Sequence, residues 1–200
     1  ASICLVLDIG GLGDLSFNDL AYSGYEKAIA DFGMEGTFLE PDGGGENRGE
    51  LLELCAEAGN DLIIGNGFLF DASMNEVAPN YPDLNFAITD GVAEPANVRG
   101  MLFDHAEGSF LAGVAAALKS TNNHVGFLGG VDFPLIHEFE QGFIAGVQAI
   151  NPDIVIEIGY ASVAPDFSGF NDVVKGKEIA LAQYEAGADV IYHAAGGTGT

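Results

Sequence analysis

Short runs of aliphatic and branched residues recur along this chain, each followed by a stretch with helical spacing. That alternation limits the available folds more than any other feature. "ICLVLD" (3–8), "DLIIG" (61–65), "LNFAITD" (84–90), "HVGFLGG" (124–130), "DIVIEIGYA" (153–161) and "DVIYHAAGG" (189–197) are apolar through most of their length, not at every second position. A strand that is apolar on both sides is buried on both faces, and strands joined by helices run parallel. "TFLE" and "VRGMLFD" (98–104) add two more strands. Helical patterns fall near 17–32, through Leu51, Leu52 and Cys55, near 70–79, at the small-residue stretch 107–120, near 135–150 and near 173–186. The expected architecture is α/β, with parallel sheets covered on both faces in two lobes of similar build. The polar stretch "KSTNNH" (119–124) is the one visible break, so the change of lobe is placed near 104–124, giving lobes 1–106 and 107–200. The last residues, "HAAGGTGT", form a strand entering a glycine turn where a helix is expected, so the second lobe reads as incomplete.

Charge narrows the partners. The 200 residues carry 30 acidic against 6 basic side chains, a formal charge of -24. Such a field repels nucleic acid and anionic membrane surfaces. Acid-rich, lysine-poor surfaces suit high-salt surroundings, where ions screen the self-repulsion, and the chain reads as halophilic. It is also 48% hydrophobic, enough for a substantial core. Cys4 in an apolar run and Cys55 in a helical one read as two separate buried thiols without a CxxC; a disulfide is left open, and with it the redox compartment. No apolar run reaches the roughly 18 residues that a membrane span needs.

In open α/β sheets ligands lie beyond the carboxyl ends of the strands, which points to the loops after residues 8, 65, 90, 129, 161 and 195. The first loop, "GGLGDLS", offers Gly11 and Gly13, but the third position of a dinucleotide GxGxxG falls on Ser16. No GxxxxGK[ST] occurs anywhere, which excludes a P-loop. Asp8 closes the strand and Asp14 sits inside the turn, with no lysine or arginine in the motif, so a phosphate is disfavoured. Carboxylates beside Phe17 suit a neutral, partly flat ligand rich in donors. An equally weighted alternative makes Phe17 a core residue and Asn18 or Asp19 a helix cap. Catalysis has no comparable support. There is no GxSxG and no HExxH, the four histidines are scattered, and Glu107 reads as a first-turn carboxylate and not as the partner of Asp104 in an acid–base couple.

With those residues in view, the chain resembles the basic membrane protein family, periplasmic-binding-protein-like lipoproteins that serve nucleoside ABC importers. The likeness is carried by "DIGGLGDLSFNDLAYSGYEKA" (8–28), "GNGFLFDA" with "YPDLNFAITDG" (65–91), "EGSFLAGVAAAL" (107–118), and "FNDVVKGKEIA" with "AAGGTGT" (170–200). The resemblance implies two Rossmann-like lobes and a purine nucleoside such as guanosine, adenosine or inosine, held in the cleft between them. It implies ligand contacts from Asp8, Phe17, Asn18, Gly67, Asp90 and Phe170, with the two phenylalanines stacking on the base and the aspartates taking donors. No enzyme activity, cofactor or metal is implied. The implied partner is an ABC permease, at an extracytoplasmic location, and attachment to the membrane is expected only through a lipid anchor that this chain does not show. Cys4 is not that anchor, because it lies inside the first strand. The rival expectations are a sugar-binding or ligand-sensing domain with the same lobes, or a nucleoside-processing enzyme.

Overall fold

The computed structural model describes residues 1–200, which divide into two compact units, Ala1–Phe103 and Asp104–Thr200. The division falls between Phe103 and Asp104, and Asp104 caps the next helix by accepting from Glu107 N at 3.1 Å. "KSTNNH" is not a boundary. It is a turn inside the second unit, tied down by Asp189, which accepts from Thr121 N, Thr121 Oγ1 and Asn122 N.

The first unit runs β1 (Ser2–Val6), α1 (Phe17–Phe32), β2 (Glu35–Leu39), α2 (Arg48–Glu57), β3 (Leu62–Gly65), α3 (Asp71–Val77), β4 (Asn85–Thr89) and β5 (Val98–Met101). Its sheet is wholly parallel in the order β2-β1-β3-β4-β5. The continuous apolar run of β1 is explained by two cores on opposite faces. Cys4 and Val6 pack with α2 and α3, against Leu52, Phe70 and Met74. Ile3, Leu5 and Leu7 point the other way, to Tyr25 of α1. Side chains alternate across a strand, so each face receives every second residue, and from Ile3 to Leu7 all of them are apolar.

Cys4 and Cys55 are joined in a disulfide across that first core, with Cα atoms 5.8 Å apart. The reading of two separate thiols is therefore corrected. Parallel packing of α2 on β1 brings together residues 51 apart in sequence, which spacing alone does not reveal.

The second unit runs α4 (His105–Lys119), β6 (His124–Asp132), α5 (Pro134–Ile150), β7 (Val155–Val163), α6 (Val173–Ala186) and β8 (Val190–Ala194), with a parallel sheet in the order β7-β6-β8. Its core gathers Val125 and Phe127 of β6 with Phe143 and Val147 of α5 and Ala116 and Ala117 of α4. The glycines of α4 and α5 make that packing possible. A Cβ at Gly113 would lie 2.1 Å from the Phe143 carbonyl oxygen, and one at Gly146 would lie 2.0 Å from that of Phe110. No helix is long and apolar enough to cross a membrane.

Candidate functional site

Strand order decides where to look. In the first sheet the chain steps outward from β1 to β2, then returns to the other side as β3, so the loops after β1 and β3 diverge. A crevice opens at such a reversal, at the carboxyl ends of the strands. Asp8 lies there, 7% exposed, one turn beyond β1. Its Oδ1 accepts from Ile9 N at 2.8 Å, from Arg48 Nε at 3.0 Å and from Arg48 Nη2, whereas Oδ2 accepts no hydrogen bond from the protein. Gly67, in the loop after β3, holds φ +126°, a region that side chains rarely adopt. A Cβ there would sit 2.6 Å from Asp8 Oδ2 and 3.4 Å from Phe17 Cε1. The open carboxylate oxygen and the half-buried ring of Phe17 therefore border one point in space, and the glycine keeps that point clear.

Asn18, 1% exposed, is the joint beneath them. Its Oδ1 accepts from Asp8 N at 2.9 Å and from Asn66 Nδ2 at 3.3 Å. Its Nδ2 donates to Ile9 O and to Asp14 Oδ2, both at 3.2 Å. With two donors and two accepted bonds the amide is fully engaged within the protein. Asn18 thus ties the loop after β1 to the loop after β3.

The glycine loop resembles an anion cradle in sequence, but most of its donors are taken. Leu12 N donates to Glu40 Oε1, Gly13 N and Leu15 N to Asp19, and Ser16 N, Asn18 N and Asp19 N to Asp14. Asp14 is the cap of α1, working from two residues ahead of Ser16, which is the N-cap by position and makes no side-chain cap bond. That corrects the expectation of a cap at Asn18 or Asp19. The chain supplies its own carboxylates where a phosphate would otherwise bind.

At the end of β4, Asp90 adopts φ +56° and donates its backbone N–H to Met101 O. Asp71, at the start of α3, accepts from Val92 N at 3.1 Å in the following loop, and burial pushes its carboxyl above the usual range. In the second unit, β6 has β7 on one side and β8 on the other, so its reversal lies between β6 and β8. Phe170 is seated there: a Cβ at Gly130 would be 2.5 Å from its Cδ1, and one at Gly196 would be 3.1 Å from its carbonyl oxygen. Thr198, 2% exposed, fixes that turn by donating to Gly169 O and accepting from Asp172 N, both at 2.7 Å. Elsewhere a groove of about 500 Å³ lies on the flank of the first unit between α1 and β2, lined by Tyr22, Tyr25, Glu26 and Phe38. It is not at the strand ends.

Compared with known proteins, residues 2–200 match the family described as Bmp, ABC transporter substrate-binding protein PnrA-like. The chain belongs to this family. It is 38% identical over 204 residues to the CD4+ T-cell-stimulating antigen of Listeria monocytogenes, covering 99% of this chain and 55% of that protein. It is 34% identical to the ABC transporter nucleoside-binding protein BmpA of Lactococcus lactis, covering 98% of this chain and 55% of that one. Among solved structures, an ABC transporter solute-binding protein of Aeropyrum pernix superposes with a TM-score of 0.84 at 31% identity, covering 98% of this chain and 55% of that one. The chain thus spans about half the length of the curated relatives it matches. The fold is the α/β type of the periplasmic-binding-protein-like solute binders, and these matches are substrate-binding proteins, not enzymes.

Within this PnrA-like chain, Asp8, Phe17, Asn18 and Gly67 are gathered at one strand reversal, Asp90 ends a strand of the same sheet, and Phe170 occupies the corresponding reversal of the second unit. The sequence missed Arg48. The reading that no cation serves the motif is corrected, because α2 returns Arg48 to Asp8 from 40 residues away. Asn66 was also missed. An asparagine between a strand and a glycine is a common turn pattern, and nothing local marks it as a partner of Asn18. The four histidines show no shared site: His105 pairs with Glu138, His124 with Glu157 and His137 with Asp132. Asp104 accepts from Glu107 N as the cap of α4.

Proposed function

We propose that this chain carries ligand-recognition surfaces of a solute-binding protein that captures nucleosides, of the purine type (guanosine, adenosine or inosine), outside the cytoplasmic membrane and delivers them to an ABC permease. The observation that carries this reading is the juxtaposition of Asp8 Oδ2, an acceptor without a donor, with the ring of Phe17, at a loop most of whose N–H groups are already committed. A flat heterocycle bearing N–H groups satisfies both features. A phosphate meets few free donors and the carboxylates of Asp8, Asp14 and Asp19. Phe17 in the first unit and Phe170 in the second are the proposed stacking faces, Asp8 and Asp90 the proposed acceptors, Gly67 the opening and Asn18 the support. The Lactococcus lactis relative, named as nucleoside-binding, supports the ligand class. A lipoprotein of Pyrococcus abyssi, 31% identical over 200 residues, and the Cys4–Cys55 disulfide both favour an extracytoplasmic setting.

The test is calorimetric titration of the full-length protein with inosine, guanosine, adenosine, ribose and guanosine monophosphate at one salt concentration. At least one nucleoside should bind at one per chain, with the monophosphate weaker by about tenfold or more, the equivalent of roughly 1.4 kcal/mol. Ribose binding as tightly as the nucleosides would make this a sugar site. Equal or tighter binding of the monophosphate would make it a nucleotide site.

A further inference from the structure

Arg48 opens α2 and reaches across to the end of β1. Its side chain and that of Asp8 are only 12% and 10% exposed. Nη1 donates to Gly45 O at 2.7 Å, Nε and Nη2 converge on Asp8 Oδ1, and the guanidinium carbon lies 5.6 Å from the centroid of Phe70. Oδ1 thus receives three donors, counting Ile9 N, while Oδ2 receives none. We propose that Arg48 is a positioning residue for ligand recognition: by loading one oxygen of Asp8 it keeps the carboxylate charged and aims the other oxygen at a ligand N–H or O–H beside Phe17.

The reasoning is electrostatic and geometric. A buried carboxylate without a cation takes up a proton, and half of its acceptor capacity is then lost. A guanidinium stays charged at any working pH and offers a rigid fork, whereas an ammonium is a point charge without direction. Burial pushes the Asp8 carboxyl above its ordinary range, and the charge and hydrogen bonds of Arg48 oppose that rise without cancelling it. The other charged groups on neighbouring loops, Asp14, Asp19 and Glu40, have the same sign as Asp8 and are occupied with backbone N–H groups. The residues facing Asp8 from the loop after β3 are neutral, Asn66 and Gly67. Arg48 is therefore the charged group that opposes protonation, with the Ile9 N–H as a weaker ally.

The choice of ligand in the test rests on the nucleoside reading of this site; the effect on Asp8 does not. Full-length wild type, Arg48→Met and Arg48→Lys are titrated with inosine from pH 5 to 9. The ionisation of Asp8 is followed in parallel by ¹³C NMR of aspartate Cγ, assigned with Asp8→Asn. In Arg48→Met the Asp8 titration and the loss of affinity on acidification should both move to higher pH, with affinity at pH 7.5 down about tenfold or more. Arg48→Lys should return the titration toward wild type and recover only part of the affinity. Circular dichroism and melting identify a variant that fails to fold; Arg48→Lys then carries the comparison, and wild-type affinity in it overturns the proposal. An unmoved Asp8 titration with unchanged affinity in folded Arg48→Met also overturns it. If wild type binds no inosine, guanosine or adenosine takes its place in the titration; if it binds none of the three, the nucleoside reading fails, and the Asp8 titration alone decides the role of Arg48.

Discussion

Phe17 and Phe170 stand in unrelated stretches of sequence, yet each lies beyond the carboxyl end of a parallel strand with a glycine against its ring, Gly67 in one case and Gly130 in the other. A Cβ at Gly130 would clash with the Phe170 ring, and one at Gly67 would touch the Phe17 ring while clashing with Asp8 Oδ2. Removing either ring should weaken nucleoside binding by about 1–3 kcal/mol, the scale of one base–aromatic contact, and leave the fold intact. Calorimetry on Phe17→Ala and Phe170→Ala checks this, and unchanged affinity in both would remove stacking from the mechanism. Asp189 works at the same scale through pH. Hydrogen bonds from Ser120, Thr121 and Asn122 pull its carboxyl well below the ordinary value of 3.8. A depressed folded-state value stabilises the fold above the unfolded-state value near 4, and that contribution is lost as pH falls further. Asp189→Asn should therefore lower the melting temperature at neutral pH and flatten its decline below about pH 4. Melting curves from pH 7 to 2 would show it; parallel curves for the two proteins would contradict it.

At the scale of elements, each lobe is held by a different device. In the first, the Cys4–Cys55 disulfide fastens α2 to β1, and α2 is the helix that presents Arg48 to Asp8. The cross-link closes a loop with a sequence separation of 51, and bridges of this kind contribute about 2–4 kcal/mol. Reduction should lower the melting temperature of the first unit and weaken ligand binding in step, because the Arg48–Asp8 contact depends on the same packing. Melting and titration with and without reductant test the coupling; a lowered melting temperature with unchanged affinity would show that the helix holds its place without the bridge. In the second unit no covalent tie is present, and α4 and α5 approach closely enough at Gly113, Gly142 and Gly146 that added methyl groups would meet backbone carbonyls.

For the whole molecule, the charge of -24 dominates. Of the few cations, Lys27 is paired with Asp31, Lys175 with Glu178, and Arg48 with Asp8, so most carboxylates face one another across solvent. Screening relieves that repulsion, and the Debye length falls from about 10 Å at 0.1 M salt to about 3 Å at 1 M. The melting temperature should rise over that range in sodium or potassium chloride. A flat or falling curve would show that the acidic surface is no adaptation to salt.

The alternation of apolar runs and helical spacings was enough to find every strand and α-helix to within a few residues, because burial on both faces leaves the central parallel strands few polar positions. Asp8 and Phe17 stood out as candidates, since a strand end entering a glycine turn is where such a sheet opens, whereas Asn18 and Phe170 entered as candidates only through the family resemblance. What the sequence left out was every relation between distant segments. Arg48 looked like one of two isolated arginines, Cys55 like a lone thiol, and Asp14 like a charge facing a ligand. Packing of α2 against β1 turned the first into the partner of Asp8 and the second into half of a disulfide, while local folding turned the third into a helix cap. Periodicity reports which face of an element is buried, but not which element covers it. That is decided only when the sheet order is set, and with it which oxygen of Asp8 remains free.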